Sequence, residues 1–226
     1  MTTTVGVVQF PGSNCEQDVI EAVGTLGAGG RLLWHGDATV DGVDAVVIAG
    51  GFAHGDYLRP GAIARFSPVM DAVADFARSG GPVVGVCNGF QVLTEAGMLP
   101  GALRKNEGLR FLCTTVELRV ESTRSVLTSS TEQGAVLRVP INHFEGAYTC
   151  DTETLARIEA EDQVVLRYVE NPNGSVADIA GVSNEAGNVV GLMPHPERAV
   201  SELLGSVDGV PLLQSLLDRA AAVAPR

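Results

Sequence analysis

Three short stretches of the sequence bring together residue types that make and break acyl bonds. The first is Gly85-Val86-Cys87-Asn88-Gly89-Phe90-Gln91, which continues the apolar run Pro82–Val86. A buried strand that turns through Gly-x-Cys-x-Gly into a helix has the geometry of a nucleophile elbow, with cysteine where hydrolases carry serine. The turn strains the nucleophile, and the glycines leave room where side chains would collide with neighbouring segments. Free N–H groups at the start of the following helix point at the sulfur and favour thiolate. The second stretch is Met193-Pro194-His195-Pro196-Glu197-Arg198. Side chains two apart on an extended backbone share a face, and Pro196 biases His195 towards that conformation. Glu197 then stands beside His195 and holds one ring nitrogen, which leaves the other to exchange a proton with Cys87. The third is Gly50-Gly51-Phe52, whose Gly51 or Phe52 N–H, together with that of Asn88, is placed to bind a developing oxyanion. Taken singly, each stretch also fits a structural role: a core cysteine, a loop histidine, a Gly-Gly turn. Their occurrence in one chain predicts nucleophilic acyl transfer.

These residues need elements to position them. Short β-branched runs alternate with helical patterns through the first hundred residues. Val5–Phe10, Leu32–Trp34, Val43–Ala49 and Pro82–Val86 read as strands, and residues 14–27, 61–78 and 88–97 as helices. Apolar strands separated by amphipathic helices predict a parallel sheet covered on both faces. From residue 111 to 193 the pattern changes to Val/Thr/Leu-rich runs at Leu112–Val120, Val136–Ile141, Val164–Val169, Val176–Val182 and Val189–Met193. Turn signals such as Asn171-Pro172-Asn173-Gly174 separate them, which predicts hairpins. Residues 209–223 form a closing amphipathic helix. The expected fold class is α/β: a single domain over residues 1–226, with a mostly parallel central sheet, helices on both faces and an antiparallel β-rich second half.

Composition narrows the function. The chain has 226 residues with 15 Lys and Arg against 27 Asp and Glu, a net charge of −12. One lysine, Lys105, accompanies fourteen arginines, and no basic run overrides the acidic field. This argues against nucleic acid and anionic lipid as partners. No apolar run approaches the roughly 18 residues of a membrane span, and no signal-peptide pattern opens the chain, so a cytoplasmic location is expected. The four cysteines, Cys15, Cys87, Cys113 and Cys150, form no CxxC and have no histidine at metal-ligand spacing, so no metal site is expected. Cys15, Cys113 and Cys150 read as packing residues. Phosphate-binding glycine loops of either common type are absent, so no nucleotide site is expected in this chain.

The motifs resemble those of class I glutamine amidotransferases of the Cys-His-Glu type, and within them the glutaminase subunits of phosphoribosylformylglycinamidine synthases. Phe10-Pro11-Gly12-Ser13-Asn14-Cys15-Glu16, Gly55-Asp56-Tyr57-Leu58-Arg59 and the post-elbow residues Asn106, Arg110, Phe111 and Cys113 carry the narrower likeness, which extends over nearly the whole chain. Ala53-His54, Gly108 and Asn142-His143-Phe144-Glu145-Gly146 depart from the family's usual residues. The resemblance implies a flavodoxin-like amidotransferase fold and a Cys87, His195, Glu197 triad that hydrolyses glutamine through a thioester. It implies an oxyanion hole of Gly51, Phe52 and Asn88, and Gln91 in contact with the glutamine. It also implies no cofactor in this chain, a large partner subunit that holds ATP and magnesium and uses the ammonia in purine biosynthesis, and a small bridging subunit. Two other readings stay open: a glutaminase subunit of a different synthase, and a Cys-elbow hydrolase or chaperone of the related peptidase-like family.

Overall fold

The computed structural model describes residues 2–223. The chain opens β1 (Thr4–Gln9), α1 (Glu16–Thr25), β2 (Gly29–Trp34), β3 (Ala45–Ile48), α2 (Pro68–Arg78), β4 (Val83–Val86) and α3 (Asn88–Glu95). There follow β5 (Ala102–Arg104), β6 (Leu112–Val120), β7 (Val136–His143), β8 (Ala147–Thr149), α4 (Thr152–Ala160), β9 (Val164–Tyr168), β10 (Ile179–Ser183), β11 (Val189–Leu192) and α5 (Val210–Val223). Nine strands form one sheet in the order β2-β1-β3-β4-β11-β10-β9-β6-β7, and β5 pairs with β8 in a separate ribbon.

The sheet changes character at β11. From β2 to β11 every pairing is parallel, and from β11 to β7 every pairing is antiparallel. The expected division between a parallel first half and an antiparallel second half is therefore observed within one continuous sheet. β3, β4 and β11 are buried at every residue, which is why they read as unbroken apolar runs. In β7 the burial alternates along the strand, as an edge with one wet face requires.

Three expectations are corrected. The pattern over 61–78 does not make one helix: residues 64–66 form a single 3-10 turn, and only Pro68–Arg78 is α-helical. Gly61 has φ +79°, and Pro68 at the first helical position marks a new start. Ile63 and Phe66, which continue the spacing of Met70 and Val73, are exposed on the loop and not part of the buried helix face. Second, Val176–Val182 is a 3-10 turn followed by β10 from Ile179. Third, α4 was not anticipated, although Asp151 is a standard N-cap that accepts a hydrogen bond from Thr154 N–H at 2.7 Å.

The parallel half sets up the site. In register, Ile48 of β3 stands beside Gly85 of β4, and Val86 beside Leu192 of β11. Gly50, Cys87 and His195 therefore all emerge at the carboxyl edge of the sheet. α3 lies close to this edge because Gly89 carries no side chain: a Cβ there would fall 2.0 Å from the carbonyl oxygen of Ile48. Backbone cannot yield by that distance, so Gly89→Ala is expected to destabilise the chain by about 2 kcal/mol or more. Urea unfolding of the variant checks this, and an unchanged midpoint would contradict it.

Candidate active site

Cys87 sits between β4 and α3 with φ +51° and ψ −107°, a conformation a β-carbon-bearing residue adopts only under constraint. Such strain costs about 1–3 kcal/mol. Its N–H donates to the carbonyl oxygen of Leu192 at 2.8 Å, which fastens the elbow to β11. The thiol is 6% exposed and lies 3.7 Å from the carbonyl oxygen of Asn142.

His195 is held from two sides. Its N–H donates to Pro140 of β7 at 2.8 Å, and its Nδ1 lies 2.6 Å from Glu197 Oε1. Both side chains are buried. His195 Nε2 is buried and has no hydrogen-bond partner among the described residues. Burial alone depresses a histidine, but the Glu197 carboxylate and the sulfurs of Cys87 and Cys15 outweigh it, and His195 titrates well above its ordinary value. The Glu197 carboxylate thus favours the charged ring.

Cys15 corrects an expectation. It reads as a packing residue because no histidine is near it in sequence, yet in space it joins the site. A Cβ on Gly50 would fall 3.0 Å from His195 Cε1, 3.1 Å from Cys15 Sγ and 3.5 Å from Cys87 Cβ, so the three side chains converge over that glycine. Arg198 donates to Cys15 Sγ at 3.1 Å and to Asp18 at 2.9 Å. Among the described residues Cys15, His195 and Glu197 form a group of metal-capable ligands within 4.8 Å of one another, which spacing along the chain did not reveal. Cys150 is partly buried and packs against the core as expected, whereas Cys113 is exposed and is not a packing residue.

The oxyanion segment distinguishes the two expected donors Gly51 and Phe52. Ser13 and Gly51 form an isolated antiparallel bridge, and in it the Phe52 N–H donates to Gly12 at 2.9 Å. Phe52 is thus already engaged. The N–H groups of Gly51 and of Asn88, at the first turn of α3, have no such partner among the described residues and form the remaining donor pair. The Asn88 side chain ties the two segments together: its Oδ1 accepts from Ala53 N–H at 2.9 Å, and its Nδ2 donates to Gln91 Oε1 at 2.8 Å and Asp56 Oδ1 at 3.2 Å. Gln91 Nε2 donates to Glu145 O at 2.5 Å. Gln91 therefore braces the cavity wall as well as lining it.

The cavity itself measures ≈ 280 Å³ and is bordered by Cys87, Cys15, Gly51, Gln91, Asp56 and Glu145 among others. Asp56 and Glu145 were not singled out by sequence. Asp56 is pushed up to about 6, first by burial and then by Glu145, with the Asn88 hydrogen bond opposing. The signal that points to Asp56 is its place four residues after Phe52, in a segment noted only for its family likeness. Arg59 and Arg198 are engaged in ion pairs with Glu95 and Asp18.

A CobB/CobQ-like glutamine amidotransferase domain matches residues 2–208. The chain belongs to the CobB/CobQ-like glutamine amidotransferase family. It is 59% identical over 213 residues to the phosphoribosylformylglycinamidine synthase subunit PurQ of Rubrobacter xylanophilus, a match covering 94% of this chain and 97% of that protein. It is 54% identical over 219 residues to the PurQ of Synechococcus elongatus, covering 96% and 99%. Among solved structures, a chain of PurLQS from Thermotoga maritima superposes with TM-score 0.89 at 42% identity, covering 96% of this amidotransferase and 99% of that chain. A further glutamine amidotransferase from Thermotoga maritima shares the fold at TM-score 0.57 and 14% identity, covering 98% and 97%. Among the described residues of this amidotransferase no helix is long and apolar enough to cross a membrane.

Proposed function

We propose that this chain is the glutaminase subunit of a phosphoribosylformylglycinamidine synthase, a single amidotransferase domain over residues 1–226 working in the cytoplasm. The observation that carries this reading is the convergence of Cys87 with the buried His195–Glu197 pair at one sheet edge, in a chain more than half identical to two subunits of that name. The same identities favour it over a glutaminase for another synthase and over a peptidase-like hydrolase.

Glutamine enters the cavity with its side-chain amide over Cys87. The thiolate attacks the amide carbon, and the Gly51 and Asn88 N–H groups receive the oxyanion. His195 gives its proton to the departing ammonia, and Glu197 steadies the charged ring. Water then hydrolyses the thioester to glutamate. Ammonia passes to a large partner subunit, which holds ATP and magnesium and converts formylglycinamide ribonucleotide to formylglycinamidine ribonucleotide. A small third subunit bridges the two. This chain uses no cofactor. The segments bordering the cavity suit such docking, since Tyr57 is 74% and Leu58 90% exposed.

Asp56 and Glu145 border the cavity, and their carboxylates complement the ammonium end of glutamine. Asp56 is charged above about 6 and neutral below. The KM for glutamine is therefore expected to rise as pH falls through 6, and Asp56→Asn is expected to abolish that rise. Initial rates from pH 5 to 8 check this, and an identical profile in the variant would contradict it. The function as a whole is tested by reconstituting the chain with its ATP-dependent partner and measuring glutamine-dependent amidine formation. Activity with free ammonia only, whether or not this chain is present, would overturn it.

A further inference from the structure

His143, the last residue of β7, is a buried titratable group that the steps above do not use. It borders the same cavity as Cys87, and the preceding residue, Asn142, offers its carbonyl to the Cys87 thiol. A network around Asn106 assigns its tautomer. Asn106 Nδ2 donates to the carbonyl oxygens of Arg110 at 2.9 Å and of His143 at 3.0 Å, which uses both amide hydrogens. Asn106 Oδ1 receives the Gly146 N–H at 3.2 Å, so this atom is an acceptor, and His143 Nδ1 lies 3.1 Å from it. His143 Nδ1 therefore carries the hydrogen and Nε2 the lone pair. Nε2 is buried with no hydrogen-bond partner among the described residues. Burial, and after it the charge of His195, push His143 down to about 4, so the lone pair is available at neutral pH.

A buried, unpartnered acceptor beside a reaction centre is a place for a small donor molecule. The glutaminase reading, on which this inference rests, supplies one. Thioester hydrolysis uses a water with a lone pair facing the carbonyl carbon and one hydrogen accepted by a base, and an acceptor for the second hydrogen fixes its orientation. His195 Nε2 takes one hydrogen as base. We propose that His143 is a further catalytic residue, whose Nε2 accepts the second hydrogen and holds the hydrolytic water against the glutamyl thioester on Cys87. In this step the water oxygen bonds to the glutamyl carbon and the carbon–sulfur bond breaks. One proton moves to His195 Nε2 and on to the Cys87 sulfur. The other leaves with the γ-carboxyl group of glutamate and is lost to solvent. His143 orients this water without taking its proton.

Two substitutions separate the atoms. In His143→Asn the side-chain amide reaches the position of Nδ1 and keeps the bond to Asn106, but nothing replaces Nε2. In His143→Gln the amide reaches the position of Nε2. The test uses the full chain assembled with its ammonia-accepting partner, radiolabelled glutamine and acid quenching. In His143→Asn the first equivalent of ammonia is expected to appear at the wild-type rate. Later turnover slows about tenfold or more, and label accumulates on Cys87 as thioester. His143→Gln is expected to recover part of the steady-state rate. Equal slowing of the first and later turnovers without accumulated label would overturn the proposal, as would a rise in KM alone, which would mark His143 as a substrate-binding residue. Failure of His143→Asn to react with a glutamine-mimicking diazo-ketone would also overturn it, by showing that His143 builds the site. If the wild type itself forms neither ammonia nor thioester, the glutaminase reading fails, and the variants are not needed to show it.

Discussion

Cys87→Ala is expected to abolish glutamine-dependent synthesis by the assembled enzyme, by about 10⁴-fold or more, while synthesis from free ammonia continues at its normal rate. The sulfur is the only heavy atom lost, and the site it leaves is small, so the cost to folding is about 1 kcal/mol or less. Cys15 does not substitute. It borders the same cavity, but its sulfur is held by Arg198 and Asn14 at the start of α1. It also lacks the elbow that aims Cys87 past the Gly51 and Asn88 N–H groups. Cys15→Ala is accordingly expected to keep most glutamine-dependent activity. Parallel assays with glutamine and with ammonium chloride decide the matter. Loss of both activities in Cys87→Ala would mean that the substitution damaged assembly. Retention of glutamine-dependent activity would refute the assignment of the nucleophile.

Glu197→Gln is expected to lower kcat/KM for glutamine by about 10²–10⁴-fold and to shift its pH profile. The carboxylate is buried against His195 Nδ1 at 2.6 Å, and its charge is a principal reason that His195 titrates high. The sign follows from the charged form. Imidazolium is the proton donor to departing ammonia, and it is present below the raised pKa and lost as pH rises through it. Without the Glu197 charge burial dominates, the pKa falls, and the alkaline limb of the profile moves to lower pH. The same pair stabilises the fold. Its contribution is full below the ordinary histidine value and disappears as pH rises through the raised one, so the wild type should lose more stability than Glu197→Gln on the alkaline side. Rate profiles and thermal melts from pH 6 to 10 check both. An unmoved alkaline limb would contradict the role given to Glu197.

The parts of this molecule that were legible in sequence are those governed by neighbours along the chain. The elbow is local: strand, Cys87, and glycines at 85 and 89 specify it within a few residues. His195 and Glu197 face each other because they are two apart on a proline-stiffened segment. β3, β4 and β11 announce themselves as apolar runs because both their faces are buried. What escaped depends on distant partners. Cys15 approaches His195 only because both pack over Gly50. The Phe52 N–H is engaged because the Ser13–Gly51 bridge brings Gly12 against it. Asp56, Glu145 and Asn106 gain importance from contacts across the cavity that no spacing encodes. Residues 61–67 imitate a helix because Ile63 and Phe66 keep the three- and four-residue spacing of Met70 and Val73, although both face outward from a loop. The α4 segment carries a weak helical signal because only Ile158 along it is fully buried, which leaves a faint apolar stripe.

The central claim is that Cys87 is a glutamine-attacking thiolate. Incubating the intact chain with a glutamine-mimicking diazo-ketone and mapping the modified peptide tests it most directly. Stoichiometric, glutamine-protectable labelling of Cys87, with Cys15, Cys113 and Cys150 unmodified, is the predicted result. No labelling near neutral pH, or labelling of Cys15 in place of Cys87, would contradict it.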